Sequence, residues 1–320
     1  KFLVADKGYC FLEVDKRQAE WVVVAYASGD AAMMAAIEAG IDVHTATAIE
    51  MFGVPADIVK RDHKLCGHAT NADEVKRLRM NDEVLSAFPI HTWPRTMSLR
   101  QCGKKSNHGL NYDEGFNGFA MINEIEPNEA KKIVEMYHRI YPGIRIWYES
   151  VKQELKANNR VLTNCFGRAV RFMGQWGDDL WKSAYSMIPQ STVVDSLNKG
   201  MEEIYEDDRL CSYKGFDGDV LAQVHDSILM QFPIDVLMVE ENFNLIRDLI
   251  TDYTSPDISY NGRTFKIASD YKFGMNWGGH NSERNPLGMV ELDTFEEFTK
   301  ALAEWSAHGA VTERVVRQLP

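Results

Sequence analysis

Two apolar runs, Val220–Val224 and Ser227–Phe232, read as strands and are separated by only His225 and Asp226. The carboxylate of Asp226 therefore sits between two stretches that are buried on folding, where it loses hydration and needs a cation or hydrogen bonds. A second acid is placed in the same way: Asp15 ends the run Phe11-Leu12-Glu13-Val14. Two such acids on adjacent strands suit Mg²⁺, which takes one or two carboxylates and completes its shell with substrate phosphates. The alternative is a pair of acids that only cap turns.

The rest of the chain surrounds these strands with helical patterns. Residues 8–15 read as a buried strand, 16–40 as one helix with a long apolar face, and 41–52 as another. Residues 57–83 are polar and mixed in charge, and read as a solvated insertion. A basic helix is expected over 96–112, and one or two amphipathic helices over 127–159, broken at Tyr141-Pro142-Gly143. Val161–Phe172 alternates about Phe166-Gly167-Arg168 as a hairpin does. A helix over 178–206 contains Pro189, a helix over 236–252 follows, and a strand is expected over Phe265–Lys272. Helices mixed with strands that do not alternate with them argue for an α+β fold, not a doubly wound one.

The net charge of −12 speaks at first against a nucleic-acid partner. Its distribution speaks otherwise. Residues 201–320 hold 22 acidic and 10 basic side chains, the whole imbalance, so residues 1–200 are neutral. Within that neutral part Val84–Tyr112 has no acid and carries Arg95, Arg100, Lys104 and Lys105. Local potential, more than total charge, decides the choice of partner. No apolar run approaches the ~20 residues of a membrane helix. No signal peptide opens the chain, so a cytoplasmic protein without membrane contact is expected. Five scattered cysteines read as free thiols.

In the basic helix Arg100, Lys104, His108 and Tyr112 recur every four residues and share one face. Cations followed by two flat rings suit a nucleoside triphosphate, with phosphates at the cationic end and the base against the rings. A solvated basic face is the competing reading. Gly103 and Gly109 inside this helix suggest close approach of another chain segment or of substrate, since each costs about 1 kcal/mol relative to Ala.

Together these residues resemble the DNA polymerase I-like family A polymerases. Val14-Asp15-Lys16-Arg17-Gln18-Ala19-Glu20 looks like motif A, with the metal-binding Asp and a Glu five positions later. Arg100, Lys104, His108 and Tyr112 match motif B, and Gln223-Val224-His225-Asp226 matches motif C. Asp42-Val43-His44 lies where the family has Asp-Ile-His, Phe166-Gly167-Arg168 matches its palm hairpin, and Gln190-Ser191-Thr192 with Asp195 matches its primer-contact helix. Asn276-Trp277 falls where the family chain nearly ends. The resemblance spans roughly residues 2–280 with the motifs in order.

What the resemblance implies is a palm with an antiparallel sheet and helical fingers. The palm would take residues 1–30 and 161–280, the fingers 31–160, and a C-terminal helical extension 281–320. Asp15 and Asp226 would hold two Mg²⁺ ions. Arg100, Lys104 and His44 would clamp the phosphates, with Lys104 as proton donor to the leaving group. His108 and Tyr112 would face the incoming nucleotide, and Glu20 would exclude a ribose 2′-hydroxyl. Gln190, His225, Lys182 and Arg168 would contact primer-template DNA. The rivals are a single-subunit RNA polymerase, against which Glu20 argues, and a non-catalytic DNA-binding subunit on a polymerase fold.

Several positions depart from the family. His108 stands for Phe or Tyr, Asp113 for Gly, Ser227 for Glu, Ser186 for Asn and Arg17 for Ser, a set that resembles viral (phage) members more than bacterial ones. Only about fourteen residues precede motif A. The thumb and exonuclease domains are therefore expected to be absent from this chain, which would be either cut from a longer polypeptide or naturally split, with a separate N-terminal partner. His63, Cys66 and His68, with His91, form a weak zinc pattern. Phe116, Phe119, Tyr137, Tyr141, Trp147 and Tyr148 read as fingers core. Beyond His280, Thr294-x-x-Glu297 is a capping box ahead of the stripe Phe295, Phe298, Leu302 and Trp305, which suits docking on its own domain or on a missing partner.

Overall fold

In a computed structural model the described residues are 3–69 and 71–309. They fall into two compact units. Of the described residues the first comprises 3–19, 192–258 and 265–309, and the second comprises 20–69, 71–191 and 259–264.

Strand β1 (Tyr9–Lys16) opens the first unit. Alternation sends Cys10, Leu12 and Val14 to one face of the sheet and Phe11, Glu13 and Asp15 to the other. The second unit follows with α1 (Ala19–Ser28), α2 (Ala31–Glu38), α3 (Val43–Phe52), α4 (Ala56–Cys66), α5 (Ala72–Asn81), α6 (Leu99–Leu110), α7 (Phe116–Asn123), α8 (Pro127–Ile140) and α9 (Pro142–Ala157). The hairpin β2 (Val161–Thr163) and β3 (Ala169–Arg171) and the first part of α10 (Asp178–Glu206) complete it, and from Thr192 the helix counts to the first unit.

The expected single helix over 16–40 is interrupted. Gly29 takes φ 65, and Asp30 caps α2 by accepting from the amides of Ala32 and Met33. Local capping outweighs the continuous apolar pattern here. The stretch 57–83 is not a solvated insertion but two helices, α4 and α5. Their facing sides bury an ion pair between Asp62 and Arg79, 2.7 Å apart, that composition alone disguises. Phe119, Tyr137, Tyr141, Trp147 and Tyr148 are core, while Phe116 is 38% exposed.

In the first unit β4 (Asp219–Val224), β5 (Ser227–Pro233), α11 (Ile234–Leu237) and α12 (Glu240–Thr254) come next. A short hairpin, β6 (Ile258–Tyr260) and β7 (Arg263–Phe265), whose residues 259–264 count to the second unit, precedes β8 (Ser269–Gly274), β9 (Val290–Glu291) and α13 (Phe295–Ala307). The strand expected over 265–272 thus splits into β7 and β8. The sheet order is β4-β5-β1-β8-β9, with every pair antiparallel. The fold is α+β.

Cys10, Leu12 and Val14 pack with Phe243 and Ile246 of α12 and with Phe298, Leu302 and Trp305 of α13. The expected capping box forms, with Thr294 and Glu297 satisfying each other's amides. The apolar stripe of α13 therefore docks on its own unit. Residues 310–320 of the expected C-terminal extension lie outside the described residues. Among the described residues no helix is long and apolar enough to cross a membrane.

Candidate active site

The second unit carries the basic row. Ser98 caps α6 in a reciprocal box with Gln101, whose amide also donates to the Gly67 carbonyl at 2.7 Å. A Cβ at Gly103 would strike the backbone carbonyl of His44, so the glycine serves the contact of α6 with α3. A Cβ at Gly109 would meet the Glu114 carboxylate. Both glycines accommodate this chain itself, and the substrate alternative is not needed for either.

One cavity of about 1020 Å³ is lined by Arg100, Lys104, His108 and Tyr112, together with Lys105, Lys182, His68 and Glu114. Lys104, His108 and Lys182 are exposed. Arg100 is engaged: its Nε and Nη2 donate to Asp42 at 3.0 and 2.9 Å. Burial alone would raise the Asp42 carboxyl, but the bonds from Arg100 and Thr45 hold it down at about 2. Asp42 also caps α3 through the Thr45 amide at 2.8 Å. The motif position was visible in the sequence; its bidentate hold on Arg100 was not.

His44 stands against His108, with ring centroids 5.9 Å apart. The Asn107 amide lies 3.2 Å from His44 Nδ1, and Thr47 donates to Asn107 Oδ1 at 2.9 Å. That network assigns Nδ1 as acceptor and leaves Nε2 with the proton. Burial pushes the imidazole down to about 4, so His44 is neutral at pH 7 and offers a hydrogen bond, not a charge. At the far end of the row the Tyr112 hydroxyl donates to the Glu20 carboxylate. Burial, then the charge of Glu20, raises this phenol well above its ordinary value. Asp113, where the resemblance expects Gly, takes φ 61, a conformation that glycine adopts without strain and that Asp tolerates.

Of the residues expected to meet DNA, Gln190 and Lys182 are exposed on α10 and Arg168 is exposed in the β2–β3 turn. Asn164 caps that turn through the amides of Phe166 and Arg168, and donates to Ser191 of α10 at 2.9 Å.

In the first unit, His225 and Asp226 form the two-residue turn between β4 and β5. His225 is exposed and takes φ 53 at the first turn position, where a twisted hairpin favours glycine. The amide of Lys16 donates to the Asp226 carbonyl at 3.0 Å, which ties the end of β1 to the turn. Asp15 pairs with Ser227 across the strands, so the two acids share one region of the sheet. Burial, then the nearby charge of Asp15, raises the Asp226 carboxyl. Lys272 donates to Asp15 Oδ2 at 2.8 Å, an ammonium where a cation is needed. The sequence reading did not single out Lys272.

Two carboxylates in one region of the sheet, one of which already draws a cation, fit a divalent ion. Among the described residues no group of three or more His, Cys, Asp or Glu could hold a metal. The pair would thus supply two carboxylates, and waters or substrate oxygens the remainder, as is usual for Mg²⁺. His63 Nδ1 lies 2.9 Å from Ser98 Oγ, and burial pushes the Cys66 thiol up to about 11, so neither is arranged as a zinc ligand.

Residues 1–71 and 86–279 match DNA polymerase family A. The unmatched 72–85 contains α5. DNA polymerase I of Pseudomonas aeruginosa is 25% identical over 280 residues, covering 86% of this chain and 25% of that protein. The chloroplastic/mitochondrial DNA polymerase I A of Arabidopsis thaliana is 24% identical over 285 residues, covering 87% of this chain and 25% of that protein. The chain thus spans about a quarter of these relatives. A solved structure, the POL domain of Pol1 from M. smegmatis in complex with DNA primer-template and dNTP, is similar in fold, with TM-score 0.62 and 21% identity. That likeness covers 86% of this chain and 41% of the other.

Proposed function

The chain belongs to DNA polymerase family A, and from that premise we propose that it carries out template-directed DNA synthesis, transferring a nucleotidyl group from a deoxynucleoside triphosphate to a primer 3′-hydroxyl. The observation that carries the reading is the row Arg100, Lys104, His108 and Tyr112 on one cavity wall, with Glu20 bonded to its last member. We assign the second unit's row to the fingers and the sheet with Asp15 and Asp226 to the palm.

Arg100, oriented by Asp42, and Lys104 bind the phosphates, and Lys104 delivers a proton to the departing pyrophosphate. Neutral His44 donates its Nε2 proton to a phosphate oxygen. His108 and Tyr112 stack and orient the nucleoside. Glu20, held by Tyr112, occupies the place a 2′-hydroxyl would need. Asp15 and Asp226 would hold two Mg²⁺ ions, which when bound would lower the pKa of the 3′-hydroxyl and stabilise the charge on the leaving group. Gln190, Lys182, Arg168 and His225 meet the primer-template through exposed side chains. The viral-type reading rests on the departures at 17, 108, 113, 186 and 227, and the named relatives are bacterial and plant organellar.

Primer extension with Mg²⁺ tests the reaction. Asp226→Asn is expected to abolish extension while duplex binding persists, because phosphate contacts lie elsewhere. Glu20→Ala is expected to narrow the deoxy/ribo ratio of kcat/KM. Extension by Asp226→Asn at the wild-type rate would remove that acid from the chemistry. An unchanged ratio would leave Glu20 structural and reopen the RNA polymerase reading.

A further inference from the structure

The face of β1 that bears Asp15 bears one more carboxylate. Glu13 is two residues away, and its side chain is only 12% exposed. Its Oε1 accepts from the Trp277 indole at 3.0 Å and from Ser227 Oγ at 3.3 Å. The indole bond holds this carboxylate beside the acid pair, and the Ser227 hydroxyl is shared with the Val224 carbonyl at 3.0 Å. Across the strands Glu13 is paired with Lys272. The ammonium of Lys272 nevertheless leans along the sheet to Asp15 at 2.8 Å, and stays 3.8 Å from Glu13 Oε2. One cation thus straddles two carboxylates. Asp270 of this row is paired with Asp15 across the strands and is bonded by Arg17, and the exposed Glu291 of β9 is paired with Lys272 on its other side.

We propose that Lys272 is a built-in counter-cation for Asp15 which a divalent ion displaces, and that Glu13 is the carboxylate that receives it. The inference rests on the reading of Asp15 and Asp226 as metal acids. Without a divalent ion Lys272 offsets the repulsion between Asp15 and Asp226. When Asp15 turns to a metal, Lys272 closes on Glu13, its direct cross-strand neighbour. The Trp277 and Ser227 bonds keep Glu13 in place for that exchange. Glu13 and Lys272 are positioning residues: they act through Asp15 and touch no reacting atom.

The chemistry predicts opposite signs for the two substitutions. Lys272→Gln removes the competitor, so Mn²⁺ binding to the protein alone, read by electron paramagnetic resonance of the free ion, tightens several-fold. Glu13→Gln removes the buried carboxylate that receives Lys272, so Mn²⁺ binding weakens by about tenfold, the scale on which partners of metal ligands act. In the double variant the Glu13 effect disappears, because there is no ammonium left to receive. A loss of Mn²⁺ affinity on Glu13→Gln that persists in the double variant would make Glu13 a ligand itself and overturn the exchange. Unchanged Mn²⁺ affinity in all three variants would leave the cluster structural and also overturn it. Asp15→Asn and Asp226→Asn separate this from the underlying reading: Mn²⁺ binding unaffected by both would sink the metal pair itself.

Discussion

The helix that carries the basic row is held at its start by a charge that comes from α5, a segment outside the family match. Arg79 of α5 is 3% exposed and Asp62 of α4 is fully buried. Arg79 Nε donates to Asp62 Oδ1 at 2.7 Å and Nη2 to Oδ2 at 3.2 Å, with further bonds to the carbonyls of Pro94 at 2.5 Å and Met97 at 3.0 Å. Asp62 Oδ2 in turn accepts from the Leu99 amide, the first residue of α6, at 2.7 Å. Arg79→Met would leave a buried carboxylate with that one amide donor, and two carbonyls without their guanidinium. Breaking a buried pair on one side costs about 3–5 kcal/mol, whereas replacing both partners by apolar groups is far milder. Urea unfolding followed by tryptophan fluorescence is a suitable assay, and Trp93, one of seven tryptophans, lies 5.3 Å from the Arg79 guanidinium. Arg79→Met and Asp62→Leu should each lose most of that amount, and the double variant should recover at least half of the larger loss. Single losses below about 1 kcal/mol, the scale of exposed pairs, would refute the argument.

Asp42→Asn keeps a capping oxygen for α3 but releases Arg100, so the KM for deoxynucleotides should rise by about fivefold to tenfold, and a fall would mean that Asp42 only competes with phosphate. The half-buried, neutral His44 should make stability pH-dependent. Its folded pKa of about 4 lies below the unfolded value near 6.5, so the unfolded chain binds the extra proton between them, and stability falls as pH drops from about 6.5 to 4. His44→Gln should flatten that window in urea titrations across pH 4 to 7, and an unchanged slope would assign the loss to other groups.

Much of this was legible from residue order because the site uses local periodicities. Asp15 closing a buried run, the two-residue gap at His225-Asp226 and the four-residue recurrence from Arg100 to Tyr112 each follow from one element's geometry. The pairings were not legible. Arg100 meets Asp42 and Tyr112 meets Glu20 across separations of 58 and 92 residues, and Lys272 reaches Asp15 across 257. No pattern within a window encodes such contacts. The stretch 57–83 was misread for the same reason: mixed charge normally marks a solvated face, but here one acid and one base satisfy each other inside α4 and α5. Asp113 shows the reverse case: its backbone angle favours the glycine that the resemblance expects, and Asp is one of the few other residues that tolerate it.

The charge distribution leads to a last expectation, about DNA. The excess of acid lies in residues 201–320, whereas the exposed cations Arg168, Arg171 and Lys182 lie in the second unit, with Gln190 exposed beside them in sequence. Duplex DNA bound through three such cations releases about three counterions' worth of salt dependence, a slope near −3 in log Kobs against log salt. Affinity at physiological salt should accordingly be weak for the 320-residue chain. Lys182→Ala should reduce the slope by about 1 and weaken all sequences alike, because a phosphate contact carries no base information. Gln190→Ala should leave the slope unchanged while weakening binding, since an amide neutralises no charge. The measurement is a set of fluorescence-anisotropy titrations of a primer-template between about 50 and 200 mM salt. A slope far steeper than −3, or one untouched by Lys182→Ala, would place the DNA contact on other cations and remove Lys182 from it.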